Sequence, residues 1–434
     1  MSYRRLGDYI RQVNVRNRSL ETNVLLGVSI TKKLIPSIAN VIGTDMSVYK
    51  VIEKRQFAYG TVTSRNGDKI SIALSDQYEK ALVSQIYVVF EVIDTEELLP
   101  EYLMMWFSRP EFDRYVRFHS HGSTRETFDW EDMCEVELPI PSIEEQRQIV
   151  AQYQSIANKI KVNEQICEKL EAAAQALYKH WFVDFEFPYS PPSEGGPQDG
   201  VAIEKPYKSS GGKMVWNEEL GKEIPEGWEI VKLQYLIDND YIFKNQDGNH
   251  GEIHPKSSDF VDKGVPFLMV NNVKKYCADL TNCNFISDDQ ARKLRIGFAK
   301  DNDVLITHKA TIGKTVMLFT NYEKVVLTPQ ITYYRIKDKH KMRSSFLYSV
   351  FKSQEFQNQF AAFSEQSTRS YLSILNQRFL EILLPTSNVI INYDEQAAVL
   401  LKQIYNYTQI NQKLTQLQSL LLSRLAVGEE AEAS

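Results

Sequence analysis

The stretch GSTRETF (Gly122–Phe128) has a near copy, QSTRSYL (Gln366–Leu372), and the two Ser-Thr-Arg triplets lie 244 positions apart. The same interval aligns further segments in the same order: YEKAL (Tyr78–Leu82) with YEKVV (Tyr322–Val326), and YLMMWFSRPEF (Tyr102–Phe112) with FLYSVFKSQEF (Phe346–Phe356). Solenoid repeats recur roughly every 20–50 residues, far below this interval. The chain is therefore predicted to be a tandem duplication in which each copy is a whole domain followed by a helix.

A long helix is predicted to follow each domain. Glu145-Gln146 matches Glu395-Gln396, and after each pair apolar residues recur at steps of four and three, the heptad pattern of a helix that packs on another. The predicted seam positions are Ile149, Tyr153, Ile156, Ile160, Asn163, Leu170 and Leu177 in the first helix, and Leu400, Ile404, Tyr407, Asn411, Leu414 and Leu421 in the second. Because neither stripe can be buried by its own helix, the two helices are predicted to pack together. Asn163 and Asn411 either fix the register of this seam or lie at its solvent edge.

The predicted fold class is α+β, with two mixed α/β domains in tandem repeat and two long helices. Short β-like runs such as Gln85–Val92 alternate with turns, and one amphipathic helix is predicted per copy, at Glu101–Tyr115 and Ser345–Phe360. The predicted parts are a first domain at 1–140, a first helix at 141–186, an extended or flexible linker rich in Pro, Gly and Ser at 187–223, a second domain at 224–386, a second helix at 387–428 and an acidic tail at 429–434.

Composition indicates a globular protein of the cytoplasm. The 434 residues are 43% hydrophobic and 24% charged, with no apolar run near the roughly 20 residues that span a bilayer. No signal peptide is expected at the N-terminus. Four cysteines without CxxC spacing predict reduced thiols rather than disulfides or a zinc site. Since the net charge is −6, any nucleic-acid surface would have to be a local patch.

The chemical motifs of enzymes are incomplete. ATIGKT (Ala310–Thr315) ends like a phosphate-binding P-loop, but His308 stands where the first glycine is required. HGEIH (His250–His254) spaces two histidines by four, yet its glycine and the proline that follows disfavour the helix that would bring them to one metal. The sequence therefore predicts a non-catalytic chain without a metal site.

Several segments are similar to those of a known family, in the family's order. LPIPSIEEQRQIV (Leu138–Val150), the heptad helix and AQALYKHWFVDFEFP (Ala174–Pro188) are similar to its central conserved region, and IPEGWEIVKL (Ile224–Leu233) to the entry of its second domain. QFAYGTVTSRNGDKISIAL (Gln56–Leu74), HGSTRETF (His121–Phe128) and DVLITHKATIGKT (Asp303–Thr315) are similar to segments within its domains. The family is that of the specificity subunits of type I restriction-modification enzymes, which the chain resembles over nearly its whole length. It departs from the family's pattern at His308–Ala310 and at NYDEQAAVL (Asn392–Leu400).

The resemblance implies that the two domains are target-recognition domains, each recognising one half of a bipartite, asymmetric DNA site. The two helices would form an antiparallel pair that fixes the spacer between the half-sites. The implied partners are double-stranded DNA, two methyltransferase subunits and, in the full complex, motor-nuclease subunits. S-adenosylmethionine, ATP and magnesium would be bound by those partners, and no cofactor by this chain.

Two kinds of residue are predicted to contact DNA. Hydroxyls and arginines that both copies share suit the phosphate backbone, which carries no sequence information: Ser123, Thr124, Arg125, Ser367, Thr368 and Arg369. Polar residues in diverged segments are the candidates for base recognition, because Arg pairs with guanine and Asn with adenine: Asn14, Arg16, Asn17, Arg18, Tyr59, Ser64, Arg65, Asn66, Asn271, Asn272, Lys274, His308, Lys309 and Lys314.

Alternatives stay open for both groups. Ser123–Glu126 also fits a helix-capping box, and the arginines could instead form internal ion pairs. The polar loops could simply be solvated, with asparagines that close turns. Two other functions also remain compatible with the residues, a freestanding two-headed DNA-binding regulator and a non-catalytic scaffold. The negative net charge disfavours the regulator, and Arg- and Asn-rich loops in matching places of both copies disfavour the scaffold.

Overall fold

The computed structural model describes residues 3–37, 44–64, 66–122, 126–190, 204–309, 311–365 and 371–425. The chain divides into two compact units, Met1–Lys161 with Lys413–Ser434, and Val162–Gln412. Each unit contains one copy of the repeat and a part of both long helices. No helix among the described residues is long and apolar enough to cross a membrane.

The described part of the first copy is built from ten strands and three shorter helices. The strands are β1 (Tyr3–Arg5), β2 (Ile10–Val13), β3 (Leu25–Val28), β4 (Leu34–Pro36), β5 (Lys50–Glu53), β6 (Phe57–Gly60), β7 (Ile72–Leu74), β8 (Lys80–Val83), β9 (Tyr87–Val92) and β10 (Glu137–Pro139). The helices are α1 (Pro100–Phe107), α2 (Pro110–His119) and α3 (Trp130–Cys134), and the long helix α4 (Ile143–Tyr178) follows, continued by a π-helical turn at Lys179–Val183.

Two four-stranded sheets form this domain, in the orders β2-β9-β6-β7 and β4-β3-β8-β5. Neighbouring strands are antiparallel except β3 and β8, which are parallel. β1 pairs with β10, so the chain enters and leaves the domain on adjacent strands, directly before α4 begins. The core between sheet and helices is largely aromatic, with Phe57 stacked on Phe90 and Phe107 against both.

The second copy contains fourteen strands and four shorter helices among the described residues. The strands are β11 (Pro188–Tyr189), β12 (Lys205–Pro206), β13 (Met214–Asn217), β14 (Lys222–Pro225), β15 (Glu229–Lys232), β16 (Phe260–Val261), β17 (Val265–Leu268), β18 (Asn284–Ile286), β19 (Phe298–Ala299), β20 (Val304–Thr307), β21 (Thr315–Met317), β22 (Val325–Leu327), β23 (Ile331–Tyr334) and β24 (Glu381–Leu384). The helices are α5 (Leu233–Asp238), α6 (Asp288–Lys293), α7 (Ser344–Lys352) and α8 (Gln354–Glu365), and the long helix α9 (Ser387–Arg424) follows.

The two copies share their sheet topology except at two edges. The orders β21-β20-β23 and β18-β17-β22-β19 in the second copy repeat β7-β6-β9 and β4-β3-β8-β5 in the first. In the second copy β16 is added at one edge, and an isolated bridge between Ile242 and Ile336 stands in place of the edge strand β2. The single parallel pair recurs as β17 with β22, and β15 pairs with β24 as β1 does with β10. Leu82 and Val83 in the first parallel pair correspond to Val326 and Leu327 in the second, at the interval of 244 found in the sequence. The predicted α+β tandem repeat is confirmed.

In each copy the region predicted as one amphipathic helix forms two helices, α1 and α2 in the first copy and α7 and α8 in the second. In the first, Arg109 is extended (φ −72°, ψ 140°), as the ring of Pro110 requires of the residue before it. In the second, the break recurs without a proline at Ser353, whose side chain accepts a hydrogen bond from the Phe356 amide at 3.3 Å. The apolar periodicity continues across both breaks, so periodicity alone could not reveal them.

The long helices α4 and α9 have 36 and 38 residues. Within Val162–Gln412 they run antiparallel, because positions that advance along α4 meet positions that recede along α9. Asn163 bonds to Asn411, Cys167 lies against the Ile404 carbonyl, and Trp181, in the turn after α4, packs on Tyr393 at 5.6 Å.

The segment 187–223, predicted as an extended or flexible linker, is structured at both ends. Phe187 and Tyr207 are buried and stacked at 4.5 Å, where β11 pairs with β12. β13 and β14 then form a hairpin. Residues 191–203, which hold most of the Pro and Gly, lie outside the described residues. The prediction gave weight to turn-forming residues and missed the aromatic side chains that bury the flanks.

Candidate nucleic-acid interface

In the first copy, the segment that follows the Ser-Thr-Arg triplet is held against the segment that follows the central strand β6. The Phe128 amide donates to the Thr61 carbonyl at 2.8 Å, and Val62 forms an isolated β-bridge with Thr127. Ser123, Thr124 and Arg125 themselves lie outside the described residues. The residues that follow the triplet and the loop after β6 are therefore neighbours.

Glu126 is the only described residue of the Ser123–Glu126 capping alternative, and it does not lie in a helix. A capping box would place Glu126 in the first turn of a helix, but its carbonyl accepts from the Thr63 amide at 3.0 Å. Thr127 exchanges two backbone hydrogen bonds with His121, at 2.9 and 3.0 Å, and the next helix is α3, which starts later. The described residues on either side of the triplet, His121 and Thr127, are therefore joined by backbone hydrogen bonds.

The second copy repeats this arrangement. The Leu372 amide donates to the His308 carbonyl at 3.3 Å, and Lys309 forms an isolated β-bridge with Tyr371. Ser367, Thr368 and Arg369 lie outside the described residues. In both copies the loop after the central strand thus lies beside the residues that follow the Ser-Thr-Arg triplet. We call the described residues of these segments the paired loops of each copy: 61–64 and 66 with 121–122 and 126–127, and 308–309 and 311–314 with 371.

The first group of predicted base-contacting residues, within 14–18, contains both exposed and buried side chains. Asn14 and Arg18 are exposed, and half-buried Arg16 donates to the Val48 carbonyl at 2.5 Å. Asn17 is 1% exposed and donates to the carbonyls of Thr22 and Met46 at 3.0 and 3.4 Å. Its side chain holds the loop in shape and does not reach solvent, so Asn17 is withdrawn as a DNA contact.

The second group lies at the first paired loops. Ser64 is exposed, and Asn66 is half-buried with its side chain bonded to the Val62 carbonyl at 3.2 Å. Arg65 lies outside the described residues. Tyr59 is fully buried on β6, packs on Phe90, and has its pKa raised by burial. It belongs to the core, and the prediction that it contacts DNA is withdrawn.

The Asn271–Lys274 group is also divided. Asn271 and Lys274 are exposed, whereas Asn272 is buried. Its side-chain oxygen accepts from the Met269 amide and its nitrogen donates to the Asn282 carbonyl, both at 3.1 Å. Asn272 therefore closes a turn, as the alternative for loop asparagines proposed.

His308 is fully buried although it stands in the second paired loops. Burial lowers the pKa of its imidazole to about 4, so the ring is neutral at neutral pH. Its Nδ1 lies 2.8 Å from the Thr332 hydroxyl, and Nε2 faces Asp247 Oδ2 at 3.9 Å. His308 cannot contact a base in this structure. Its neighbour Lys309 and also Lys314 are exposed, with the Lys309 ammonium 5.8 Å from the centre of the Tyr371 ring.

Residues that the sequence did not single out lie at the first paired loops. Arg117 donates to the Gly67 carbonyl at 3.3 Å, and Thr63 donates to Ser120 at 3.0 Å, which ties the end of α2 to the loop after β6. Phe118, between these residues, is 84% exposed. The only sequence signal for them was their position directly before the Ser-Thr-Arg loop.

His121, Asp129 and Asp132 bring possible ligand atoms within 4.8 Å of one another near the same loop. All three groups are exposed or half-buried, and the two carboxylates flank one end of the short helix α3. Since exposed acidic groups commonly lie together without an ion, no metal site is inferred from this cluster.

The predicted seam positions are all buried or half-buried. Asn163 is 0% exposed and donates to Asn411 Oδ1 at 2.7 Å. Ile149 and Tyr153 pack on the core of the first unit, and Leu170, Leu177 and Tyr407 on that of the second. In α9 the predicted positions Leu400 and Leu421 are half-buried. The residues that follow them, Leu401 and Leu422, are buried more deeply.

The chain is similar to known proteins over most of its length. Residues 36–172 match the family model of the type I restriction modification DNA specificity domain. The chain is 26% identical over 348 residues to the type I restriction enzyme MjaIX specificity subunit of Methanocaldococcus jannaschii, covering 78% of this chain and 71% of that protein. It is 24% identical over 442 residues to the type I restriction enzyme HindI specificity subunit of Haemophilus influenzae, covering 90% of each.

The similarity extends to the fold. A solved S subunit of a type I restriction-modification system from M. genitalium superposes with a TM-score of 0.55 at 12% identity, covering 98% of this chain and 96% of that one. The family domain, the relatives and the fold agree with one another: over most of its length the chain is similar to the specificity subunits of type I restriction-modification systems.

Proposed function

We propose that the chain binds a bipartite, asymmetric DNA site, with each copy of the repeat recognising one half. The observation that carries this proposal is the repeated anchor, Phe128 on Thr61 and Leu372 on His308. It joins the segment that follows the Ser-Thr-Arg triplet to a loop of different sequence in each copy. A shared triplet suits contacts to the sugar-phosphate backbone, and a differing neighbour suits base recognition.

The exposed side chains that remain as candidates differ between the copies. The first copy offers Asn14, Arg18 and Ser64, and the second offers Asn271, Lys274, Lys309 and Lys314. Hydroxyl, guanidinium, ammonium and amide groups form different hydrogen bonds with base edges in the major groove. Two domains with these different groups would recognise two different half-sites, which makes the whole site asymmetric.

The antiparallel helices are proposed to fix the spacer. At about 1.5 Å per residue, helices of 36 and 38 residues extend over roughly 54–57 Å. Half-sites one helical turn apart are separated by about 34 Å of DNA, which lies within that length. The hydrogen bond between Asn163 and Asn411 would fix the register of the helices, and so the gap between the half-sites.

The chemistry is proposed to belong to partner subunits. Two methyltransferase subunits would bind S-adenosylmethionine and methylate adenines in the recognised site. Motor-nuclease subunits would use ATP and magnesium for restriction. The chain itself would be non-catalytic, bind no cofactor and act in the cytoplasm. The relatives named as specificity subunits of type I restriction enzymes support this division of roles.

The test is genome-wide mapping of methylated adenine in a host that expresses this chain with its cognate methyltransferase. A single motif with two unlike halves around a fixed gap is expected. Lys309→Ala should alter the preference in one half only, with Lys263→Ala, an exposed lysine in the turn between β16 and β17, as the matched control. A contiguous motif would restrict recognition to one copy, and methylation without a motif would refute the proposal.

A further inference from the structure

The paired loops of the second copy rest on a buried network of polar side chains. His308, Thr332 and Gln377 are 0% exposed, and Tyr334 is 1% exposed. The Tyr334 hydroxyl donates to Gln377 Oε1 at 2.7 Å, and Gln377 Nε2 donates to the Thr332 hydroxyl at 3.1 Å. The Thr332 hydroxyl in turn lies 2.8 Å from His308 Nδ1.

The donors and acceptors of this network are consistent with one another. Thr332 Oγ1 accepts from Gln377, and it pairs with His308 Nδ1 as donor or as acceptor, according to which nitrogen of the neutral imidazole carries the proton. The second N–H of the Gln377 amide goes to the Leu372 carbonyl at 3.1 Å. One buried amide therefore joins β23 to the backbone that leaves the Ser-Thr-Arg loop.

A second buried amide acts on the same stretch of backbone. Asn245 is 0% exposed, and its Nδ2 donates to the Ile374 carbonyl at 3.0 Å while its Oδ1 accepts from Arg378 Nε at 2.9 Å. Leu372 and Ile374 are thus both held at their carbonyls. Since the Leu372 amide also bonds to the His308 carbonyl, the ends of both paired loops are fixed by the same group of side chains.

The first copy has apolar residues at the corresponding positions. Across the sheet, Phe57 and Tyr59 of β6 pair with Phe90 and Val88, as Val304 and Ile306 of β20 pair with Tyr334 and Thr332. Phe90 is packed among aromatic rings, including Trp130 at 5.6 Å. The same backbone anchor is therefore supported by aromatic packing in one copy and by directed hydrogen bonds in the other.

We propose that Thr332, Tyr334 and Gln377 are positioning residues that hold the paired loops of the second copy in the geometry needed to recognise its half-site. Hydrogen bonds restrict both distance and direction, whereas apolar contacts tolerate small displacements. The second half-site would therefore depend on buried hydroxyls that never touch DNA. This inference rests on the proposed function, because it assumes that these loops recognise DNA.

The test uses the full complex of this chain and its methyltransferase. Methylation is measured on a DNA library in which each position of either half-site is varied in turn. Thr332→Val keeps the shape of the side chain and removes the hydroxyl between Gln377 and His308. We expect discrimination between correct and incorrect bases to fall about fivefold in the half-site recognised by the second copy, and to stay unchanged in the other half-site. Thr332→Ser, which keeps the hydroxyl, should retain the wild-type preference.

Two further variants separate positioning from folding. Thr328→Val is the matched control, because Thr328 is buried and its hydroxyl has no hydrogen-bond partner among the described residues. Tyr334→Phe removes only the hydroxyl that donates to Gln377. This variant replaces Thr332→Val in the test if the Thr332→Val complex fails to assemble. Unchanged discrimination, or an equal loss in both half-sites, would overturn the inference. A wild-type complex without a bipartite preference would instead overturn the proposed function.

Discussion

Replacing Asn163 and Asn411 together by leucine should stabilise the chain. Asn163 is fully buried and donates to Asn411 Oδ1 at 2.7 Å, but its own Oδ1 is buried without a hydrogen-bond partner among the described residues. A typical hydrogen bond contributes about 1 kcal/mol net, whereas a buried polar atom without a partner costs about 1–3 kcal/mol. The hydrogen bond between the two side chains and the unpaired oxygen of Asn163 therefore nearly cancel.

The magnitude follows from what the leucines add. A fully buried leucine at position 163 contributes about 1.5–3 kcal/mol, and one at half-buried position 411 contributes less. After allowance for imperfect packing, the double variant should gain about 2–4 kcal/mol. For a unit of about 250 residues this raises the melting temperature by roughly 4–8 °C. Asn163→Leu alone should gain less, because Asn411 Oδ1 loses its donor.

Thermal unfolding of the four chains of this double-mutant cycle measures the effect. Size-exclusion chromatography with light scattering should also show more self-association of the double variant, since an all-apolar seam discriminates less between correct and incorrect pairing. A double variant that melts below the wild-type chain would refute the reasoning, because the polar pair would then contribute net stability. Unchanged self-association would contradict the proposed role of the pair in fixing register.

Three other predictions concern charge. Burial lowers the pKa of His308 to about 4 in the folded chain, against about 6.5 in the unfolded chain. As pH falls from 6.5 to 4, the unfolded chain therefore binds an extra proton, and the free energy of unfolding decreases by up to about 3 kcal/mol. His308→Gln should flatten that slope in urea titrations, and His340→Gln, at an exposed site, should not. Arg335→Met leaves the carboxylate of Asp303, 1% exposed and bonded at 2.7 and 2.9 Å, without its partner. A loss of about 3–5 kcal/mol is expected in urea unfolding, against almost none for Arg292→Met in the exposed pair with Asp289. Arg125→Ala and Arg369→Ala should weaken DNA binding equally for all sequences and reduce the salt dependence of log K by about 1 each, whereas relaxed specificity at one base would contradict phosphate contact.

The sequence was sufficient for the duplication and for the seam, because both depend on patterns that extend over many residues. Leu82 and Val326 are 244 positions apart, and each lies in the parallel strand pair of its own copy. The heptad steps place Asn163 and Asn411 on facing sides of two helices, and the structure joins them by a hydrogen bond. Such patterns record burial, which is the main determinant of secondary structure and helix packing.

The candidate contact residues were harder to predict, because residue type does not determine exposure. Asn17, Asn272 and His308 have the side chains expected of base-contacting residues, yet each is buried and bonded to backbone or side chains of its own domain. An asparagine that closes a loop and one that pairs with adenine use the same amide. The two are distinguished only by neighbours distant in sequence, such as Met46 for Asn17.

Both copies share the same backbone hydrogen bond at the paired loops, while the side chains beneath it differ, and this difference has a physical reason. The bonds from Phe128 to Thr61 and from Leu372 to His308 join backbone groups, so they do not depend on which side chains the two copies carry. After a duplication, side chains beneath such an anchor can change from aromatic packing, as at Phe90, to a polar network, as at Tyr334, while the loop stays in place. Under the proposed function, the exposed loop residues would then be free to diverge for a different half-site. A single chain would in this way hold two unlike recognition surfaces on one repeated scaffold, and it would need only one fold to do so.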